Sequence, residues 1–94
     1  AVGIINAANR MLEGGLAEEG YQQVMTVKDD IRSYNTIGAA LMLQGKFEEA
    51  MPWLEKALVV FPEQAKANID AIKAEYEYEQ QQVQAREEYL KKYE

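Results

Sequence analysis

The stretch that decides the fold is IRSYNTIGAALMLQGKFEEAMPWLEKALVVFPEQ, at residues 31–64. Its apolar and small residues recur every three or four positions, which is the spacing of one face of an α-helix. Two such stripes occur, one formed by Tyr34, Ile37, Gly38 and Leu41 and the other by Ala50, Leu54 and Ala57. The pattern therefore predicts two helices that each bury one face.

Residues between and after the two stripes predict where the helices end. Gly45 follows the first stripe, and glycine readily ends a helix. Pro62 follows the second stripe and disfavours helical geometry at Phe61, because proline restricts the residue before it. Gly38 and Ala50 are small enough to let two helix backbones approach closely. Together these signals predict an antiparallel helical hairpin.

The order of these residues resembles the tetratricopeptide repeat (TPR) family, whose pattern runs aromatic, Leu-Gly, Tyr, Ala, large apolar residue and closing Pro. The matching positions are Tyr34, Ile37, Gly38, Leu41, Gly45, Phe47, Ala50, Leu54, Ala57 and Pro62. The resemblance implies an all-α fold, an α-solenoid of antiparallel helical hairpins. It also implies that the first helix of each unit lines a concave groove that holds a segment of another protein.

A degenerate copy of the pattern precedes the clear one. Shifting the frame back by 30 residues aligns it with Ile4, Ala7, Ala8, Met11, Gly15, Gly20, Val24 and Val27. The copy departs from the family pattern, because Ile4 replaces the first aromatic, Ala17 stands where Phe47 does, and no proline closes the unit. Asp29 or Asp30 is predicted to cap the helix that follows.

Residues 64–92 contain neither glycine nor proline, and Ile69, Ile72 and Tyr76 form another helical stripe. We expect one long helix whose first half packs on the repeats and whose second half projects. The alternative is a split into two helices near Gln80. The chain is thus predicted to be a single TPR-like domain at residues 1–94, with a degenerate repeat at 1–30, a clear repeat at 31–64 and a capping or extended helix at 65–94. Its start at Ala1, without Met and already in a helical pattern, predicts a piece excised from a longer protein.

The composition argues against several classes of function. The 94 residues include no cysteine and no histidine, so thiolate sites, the commonest metal ligand and the commonest general base are all missing. We therefore expect no enzyme activity, no cofactor and no metal site. A net charge of −6 argues against nucleic acid as a partner, and no apolar run is long enough to predict membrane insertion.

The TPR resemblance places the ligand-binding groove beside the buried stripes of the first helices. The residues so placed are Ile5, Asn9, Leu12, Arg32, Asn35, Ala39 and Met42. Asn9 and Asn35, with Asn6 nearby, are the most informative, because an amide can pair with the backbone of an extended peptide whatever its side chains are. The alternatives are asparagines on a solvated helix face and, for Arg32, a surface ion pair.

Some TPR grooves capture a C-terminal carboxylate with several lysines, arginines and asparagines. Asn9 matches one of those asparagines, but Ile5 replaces the lysine that should accompany it, and Asp70 lies near where a cation would be needed. We expect this carboxylate clamp to be absent.

These observations predict a non-catalytic module that binds a protein or peptide partner through the concave face. The alternative is a structural spacer or a homodimerisation domain that acts through the C-terminal helix. In the second case the chain would form a weak homodimer. That helix carries a heptad-spaced series of Ile72, Tyr76, Glu79, Val83, Arg86, Leu90 and Tyr93. Val83, Leu90 and Tyr93 are the predicted oligomer contact, with a solvating cap or an element of the parent protein's next domain as the other interpretations.

Overall fold

The computed structural model describes residues 1–92 of the 94-residue chain. Over this range the chain forms five α-helices and a short 3-10 helix, with no β-strand. The α-helices are α1 (Val2–Glu13), α2 (Ala17–Met25), α3 (Tyr34–Leu43), α4 (Phe47–Ala57) and α5 (Pro62–Lys92), and the 3-10 helix Ile31–Ser33 leads into α3. The predicted all-α class is confirmed.

The turn between α1 and α2 has the same backbone structure as the turn between α3 and α4. Each contains a glycine with a positive φ, +85° at Gly15 and +78° at Gly45. The residue after each glycine donates its N–H to the carbonyl five positions earlier, at 2.8 Å from Leu16 to Met11 and 2.9 Å from Lys46 to Leu41. This left-handed helix ending favours glycine, since a side chain there would strain the backbone.

Each helix pair packs around a contact between small residues. A Cβ atom on Gly38 would lie 2.4 Å from Cδ2 of Leu54, so no side chain fits between α3 and α4 there. A Cβ atom on Gly20 would lie 2.8 Å from Cδ2 of Leu12, across the contact between α1 and α2. The close approach expected at Gly38 therefore exists, and the first pair has one of its own.

The buried core runs through both helix pairs and the first half of α5. Its hydrophobic members are Ile5, Ala8, Val24, Ile37, Ala40, Leu41, Ala50, Leu54, Ala57, Ala65, Ile69 and Ile72. In α1 the buried face differs from the predicted stripe, because Ile5 and Ala8 are buried while Ile4, Ala7 and Met11 are only half-buried. The reason is that α1 packs against α3 as well as α2, and the face toward both helices includes Ile5.

Asp30 organises the connection between the two helix pairs. Its side chain accepts a hydrogen bond of 2.9 Å from the backbone N–H of Arg32 and so caps the 3-10 helix. The predicted cap is thus found at Asp30, although it caps the 3-10 helix, while α3 begins after Ser33 without a side-chain cap. The 3-10 helix places Ser33, which is fully buried, at the entry to α3.

The predicted single C-terminal helix is also confirmed, and the split near Gln80 is wrong. Pro62 is the first residue of α5, where a missing N–H costs no internal hydrogen bond. Ala65, Ile69 and Ile72 bury the first half of α5, whereas every residue from 73 to 92 is exposed. The helix continues through the polar run because glutamine is compatible with helix and no breaker interrupts it.

Candidate functional site

A cleft opens between α1, the start of α3 and the start of α5. It has a volume of about 280 Å³. The residues that line it are Val2, Ile5, Asn6, Asn9, Arg32, Asn35, Thr36, Phe61 and Gln64. Four of the seven residues predicted for the groove, Ile5, Asn9, Arg32 and Asn35, therefore come together here.

The other three predicted groove residues lie elsewhere. The Leu12 side chain packs over Gly20, which places it inside the first helix pair. Met42 is half-buried against the hydrophobic core, and Ala39 is half-buried in α3. The cleft thus occupies only the part of the predicted groove that is formed by the N-terminal parts of α1 and α3.

Asn9 is held in place by a residue of the neighbouring helix. Its side-chain oxygen accepts a hydrogen bond of 2.9 Å from the hydroxyl of Thr36, which is 4% exposed. The bond joins the two helix pairs across their shared face. It uses the acceptor of the Asn9 amide and leaves both of its N–H donors without a hydrogen-bond partner among residues 1–92.

Asn35 is held in the same way by α5. Its side-chain oxygen accepts a hydrogen bond of 3.1 Å from the amide nitrogen of Asn68. The Asn35 amide group, like that of Asn9, keeps two donors for other acceptors. The cleft therefore presents two fixed amides whose remaining hydrogen-bonding capacity is mainly donor capacity.

Arg32 lines the cleft but is engaged in an ion pair. Its Nη2 atom lies 2.6 Å from Oδ2 of Asp30, and its Nε atom donates to Oδ1 of the same carboxylate at 3.0 Å. These hydrogen bonds lower the pKa of Asp30 to about 2 and raise the pKa of Arg32. Arg32 therefore forms a surface ion pair, which was the alternative interpretation to a role in binding an anionic ligand.

Sequence reasoning missed Val2, Thr36, Phe61 and Gln64 as lining residues and Asn68 as the partner of Asn35. One signal was available for Asn68, since it follows Asn35 by 33 residues, close to the TPR repeat length of about 34. No comparable signal marked Phe61, whose aromatic side chain enters the cleft from the segment between α4 and α5. Asp70, the acidic residue near the position where a carboxylate clamp would need a cation, is exposed on α5.

A second surface lies on α4 and α5, away from the cleft. The Tyr76 ring packs near Phe47 with 6.2 Å between ring centroids, and its hydroxyl donates to Oε1 of Glu48 at 3.2 Å. Desolvation and this contact with Glu48 raise the pKa of Tyr76. Beyond Tyr76, Val83 and Leu90 of the predicted oligomer contact are exposed, and Tyr93 lies outside the described residues.

Residues 1–92 hold no group of three or more acidic, histidine or cysteine side chains arranged to bind a metal ion. Over the same range no helix has the length and apolarity needed to cross a membrane. The first cleft combines an apolar floor with amide donors, a combination that suits an extended chain with free carbonyl oxygens.

Comparison with protein-family models, curated proteins and solved structures finds no match for this chain. Function must therefore be inferred from its own residues.

Proposed function

We propose that this protein is a non-catalytic interaction module of the TPR type, which binds an extended segment of a protein partner in the cleft between α1, α3 and α5. In this proposal α1 with α2 and α3 with α4 are antiparallel hairpins stacked as a short α-solenoid, and α5 serves as its cap. The three odd-numbered helices form the concave side.

Internal repetition supports the solenoid arrangement. The two turns share one glycine-based structure at an offset of 30 residues. Each helix pair also has a close contact at corresponding positions, where Ala8 faces Gly20 and Gly38 faces Ala50. Repeats that bury their apolar faces only against neighbours produce this kind of recurrence.

The pair of fixed amides is the single observation that carries the proposal. Thr36 holds Asn9 and Asn68 holds Asn35, so the donors of both amides are oriented before any ligand arrives. Preorganised donors lose little conformational entropy on binding, which improves affinity. Because carbonyl oxygens recur along any polypeptide, such donors bind a backbone with little dependence on its sequence.

The charge of the chain favours a neutral or basic partner segment. The net charge is −6, and the arginine that lines the cleft is already paired with Asp30. An acidic ligand would meet repulsion without a free cation to offset it. Capture of a partner's C-terminal carboxylate is not proposed for the same reason.

Selection of random linear peptides on the immobilised protein tests this function. We expect enriched peptides to bind the double variant Asn9→Ala, Asn35→Ala about tenfold or more weakly, since each lost hydrogen bond is worth roughly 1 kcal/mol. Gln22→Ala is the matched control, because it removes an exposed amide on α2, outside the cleft. Equal affinity for the double variant and the wild type would rule out the cleft amides.

A second measurement changes the peptide and compares its binding to the wild type and to the double variant. Replacing single peptide amides by esters weakens the carbonyl as an acceptor, so esters at the bound positions should reduce affinity for the wild type. The same esters should have little further effect on the double variant. A selection that enriches no linear peptide, or peptides insensitive to every ester, would contradict the proposed mode of binding.

A further inference from the structure

The surface between α4 and α5 contains a second, more apolar cleft. It has a volume of about 520 Å³ and is lined by Glu48, Met51, Ile72, Lys73, Tyr76 and Glu77. A neighbouring depression shares Glu48 and Tyr76 and adds Gly45, Lys46, Phe47, Glu49 and Glu79. Apolar side chains thus lie among several carboxylates, beside the point where α5 leaves the body of the protein.

The same face of α5 continues beyond this cleft. Tyr76, Val83 and Leu90 follow one another at seven-residue spacing and are 38%, 49% and 57% exposed. Seven-residue spacing keeps side chains on one face of a helix, which is the face by which helices pair. The described residues contain nothing that covers this face after Tyr76.

The charged residues on this face determine in which orientation a second helix can pair with it. Glu79 and Arg86 occupy the two charged positions of the heptad series, and neither has an ion-pair partner within residues 1–92. In a parallel pair of identical helices each residue meets its own copy, so glutamate would face glutamate and arginine would face arginine. In an antiparallel pair centred near Gln82, Glu79 of each copy lies within one helical turn of Arg86 of the other.

One further pair of opposite charges agrees with the antiparallel arrangement. On the other side of the seam, Lys73 lies near Glu87 of the second copy when the helices run in opposite directions. The arrangement also brings Leu90 of the second copy toward Ile72 and Tyr76, next to Met51 in the apolar cleft. Arg86 of the second copy then approaches the carboxylates of Glu48 and Glu79.

We propose that two copies of this chain form a symmetric antiparallel dimer through α5, in which the end of α5 from each copy fills the cleft beside α4 of the other. The contact is isologous, so it closes at two copies. It uses a surface separate from the amide-lined cleft and does not depend on the binding function proposed above.

Charge exchange between Glu79 and Arg86 tests the dimer and its direction. Analytical ultracentrifugation over a concentration series should show that Glu79→Arg and Arg86→Glu each weaken dimerisation about tenfold or more, because each change places like charges at two symmetric contacts. The double variant Glu79→Arg, Arg86→Glu should dimerise more tightly than Arg86→Glu alone, because the exchanged pair attracts again while Glu48 keeps its charge. Both positions are exposed, so the fold is not disturbed.

Cross-linking gives an independent measure of direction, because the chain has no cysteine of its own. Under oxidation, a mixture of a Leu90→Cys copy and a Lys73→Cys copy should form mixed disulfides, and Leu90→Cys alone should not. If the wild-type protein stays monomeric up to about 1 mM, the dimer proposal is wrong. A helix of another protein then becomes the expected partner of this face. If the single variants Glu79→Arg and Arg86→Glu dimerise like the wild type, the antiparallel arrangement is wrong. A disulfide between two Leu90→Cys copies would also contradict it.

Discussion

The two helix pairs solve the same packing problem with their residues exchanged. In the first pair the glycine is on the second helix, and Leu12 of α1 covers Gly20 of α2. In the second pair the glycine is on the first helix, and Leu54 of α4 covers Gly38 of α3. The contacts differ in freedom, because Leu54 is fully buried whereas Leu12 is half-buried. The comparison teaches that a close helix contact needs a glycine on one side, and that its tolerance depends on whether the opposing side chain can move.

The largest expected effect comes from Gly38→Leu. A side chain at this position has no space, since Cγ and Cδ2 of Leu54 both lie within 2.6 Å of the added Cβ. We expect the free energy of unfolding to fall by about 3 kcal/mol or more, measured by urea denaturation. Gly3→Leu is the control, because nothing lies within 4 Å of a Cβ at Gly3 in α1. Equal stability of the two variants would contradict the packing of Gly38 against Leu54.

A smaller change compares the two contacts directly. Gly38→Ala should destabilise by about 1–2 kcal/mol, since overpacking outweighs the gain of roughly 0.5–1 kcal/mol for alanine over glycine in a helix. Gly20→Ala should cost less than Gly38→Ala, about 1 kcal/mol or below, because Leu12 can rotate away, the carbonyl oxygen of Ala8 at 3.2 Å requires only a small shift, and the same helix gain offsets part of the cost. Thermal and urea melts of both variants measure the difference. A greater loss at Gly20 than at Gly38 would reverse the comparison.

The contact between the helix pairs is the target of the next change. Thr36→Val removes the hydroxyl that donates to Asn9 and keeps the shape of the side chain. We expect a loss of about 1 kcal/mol, the typical net value of one hydrogen bond. Thr26→Val removes an exposed hydroxyl that donates to the carbonyl of Gln23 in its own turn, and it should cost less. If both variants lost the same stability, the bond between the pairs would have no special weight.

The smallest expected effect concerns the ion pair between Asp30 and Arg32, in the segment that connects the two helix pairs. The pKa of Asp30 is lowered to about 2, so its contribution to stability is present above its ordinary value of 3.8 and is lost as the pH falls through about 2. Asp30→Asn keeps a capping oxygen and removes the charge. We expect the melting temperature of the wild type to exceed that of Asp30→Asn at pH 5, and this difference to shrink as the pH falls from 4 toward 2, where about half of the Asp30 carboxylates are still ionised. A difference as large at pH 2 as at pH 5 would exclude the carboxylate charge as its cause.

Much of the fold was predictable because its signals are local. The glycine at position 45 marked the end of α3, and the absence of glycine and proline after position 64 predicted the unbroken α5. The prediction that α4 continues up to Pro62 was wrong, because α4 ends at Ala57 and Pro62 is the first residue of α5. The candidate site was only partly predictable. Asn9 and Asn35 were expected there from the TPR resemblance, but Thr36 and Asn68, which hold them, lie 27 and 33 residues away from them in the chain.

The sequence by itself determined the helical class, the glycine turn after α3, the unbroken α5, the close approach at Gly38 and the absence of histidine and cysteine chemistry. Only the tertiary structure decided that Ile5 is buried, that Leu12 turns toward Gly20 and away from the cleft, and that the oxygens of Asn9 and Asn35 are already used. The physical reason is that turn chemistry and helix periodicity depend on neighbours in the chain. The choice of partner for a side chain depends on where two helices cross. That crossing point is determined jointly by residues that lie far apart in the sequence.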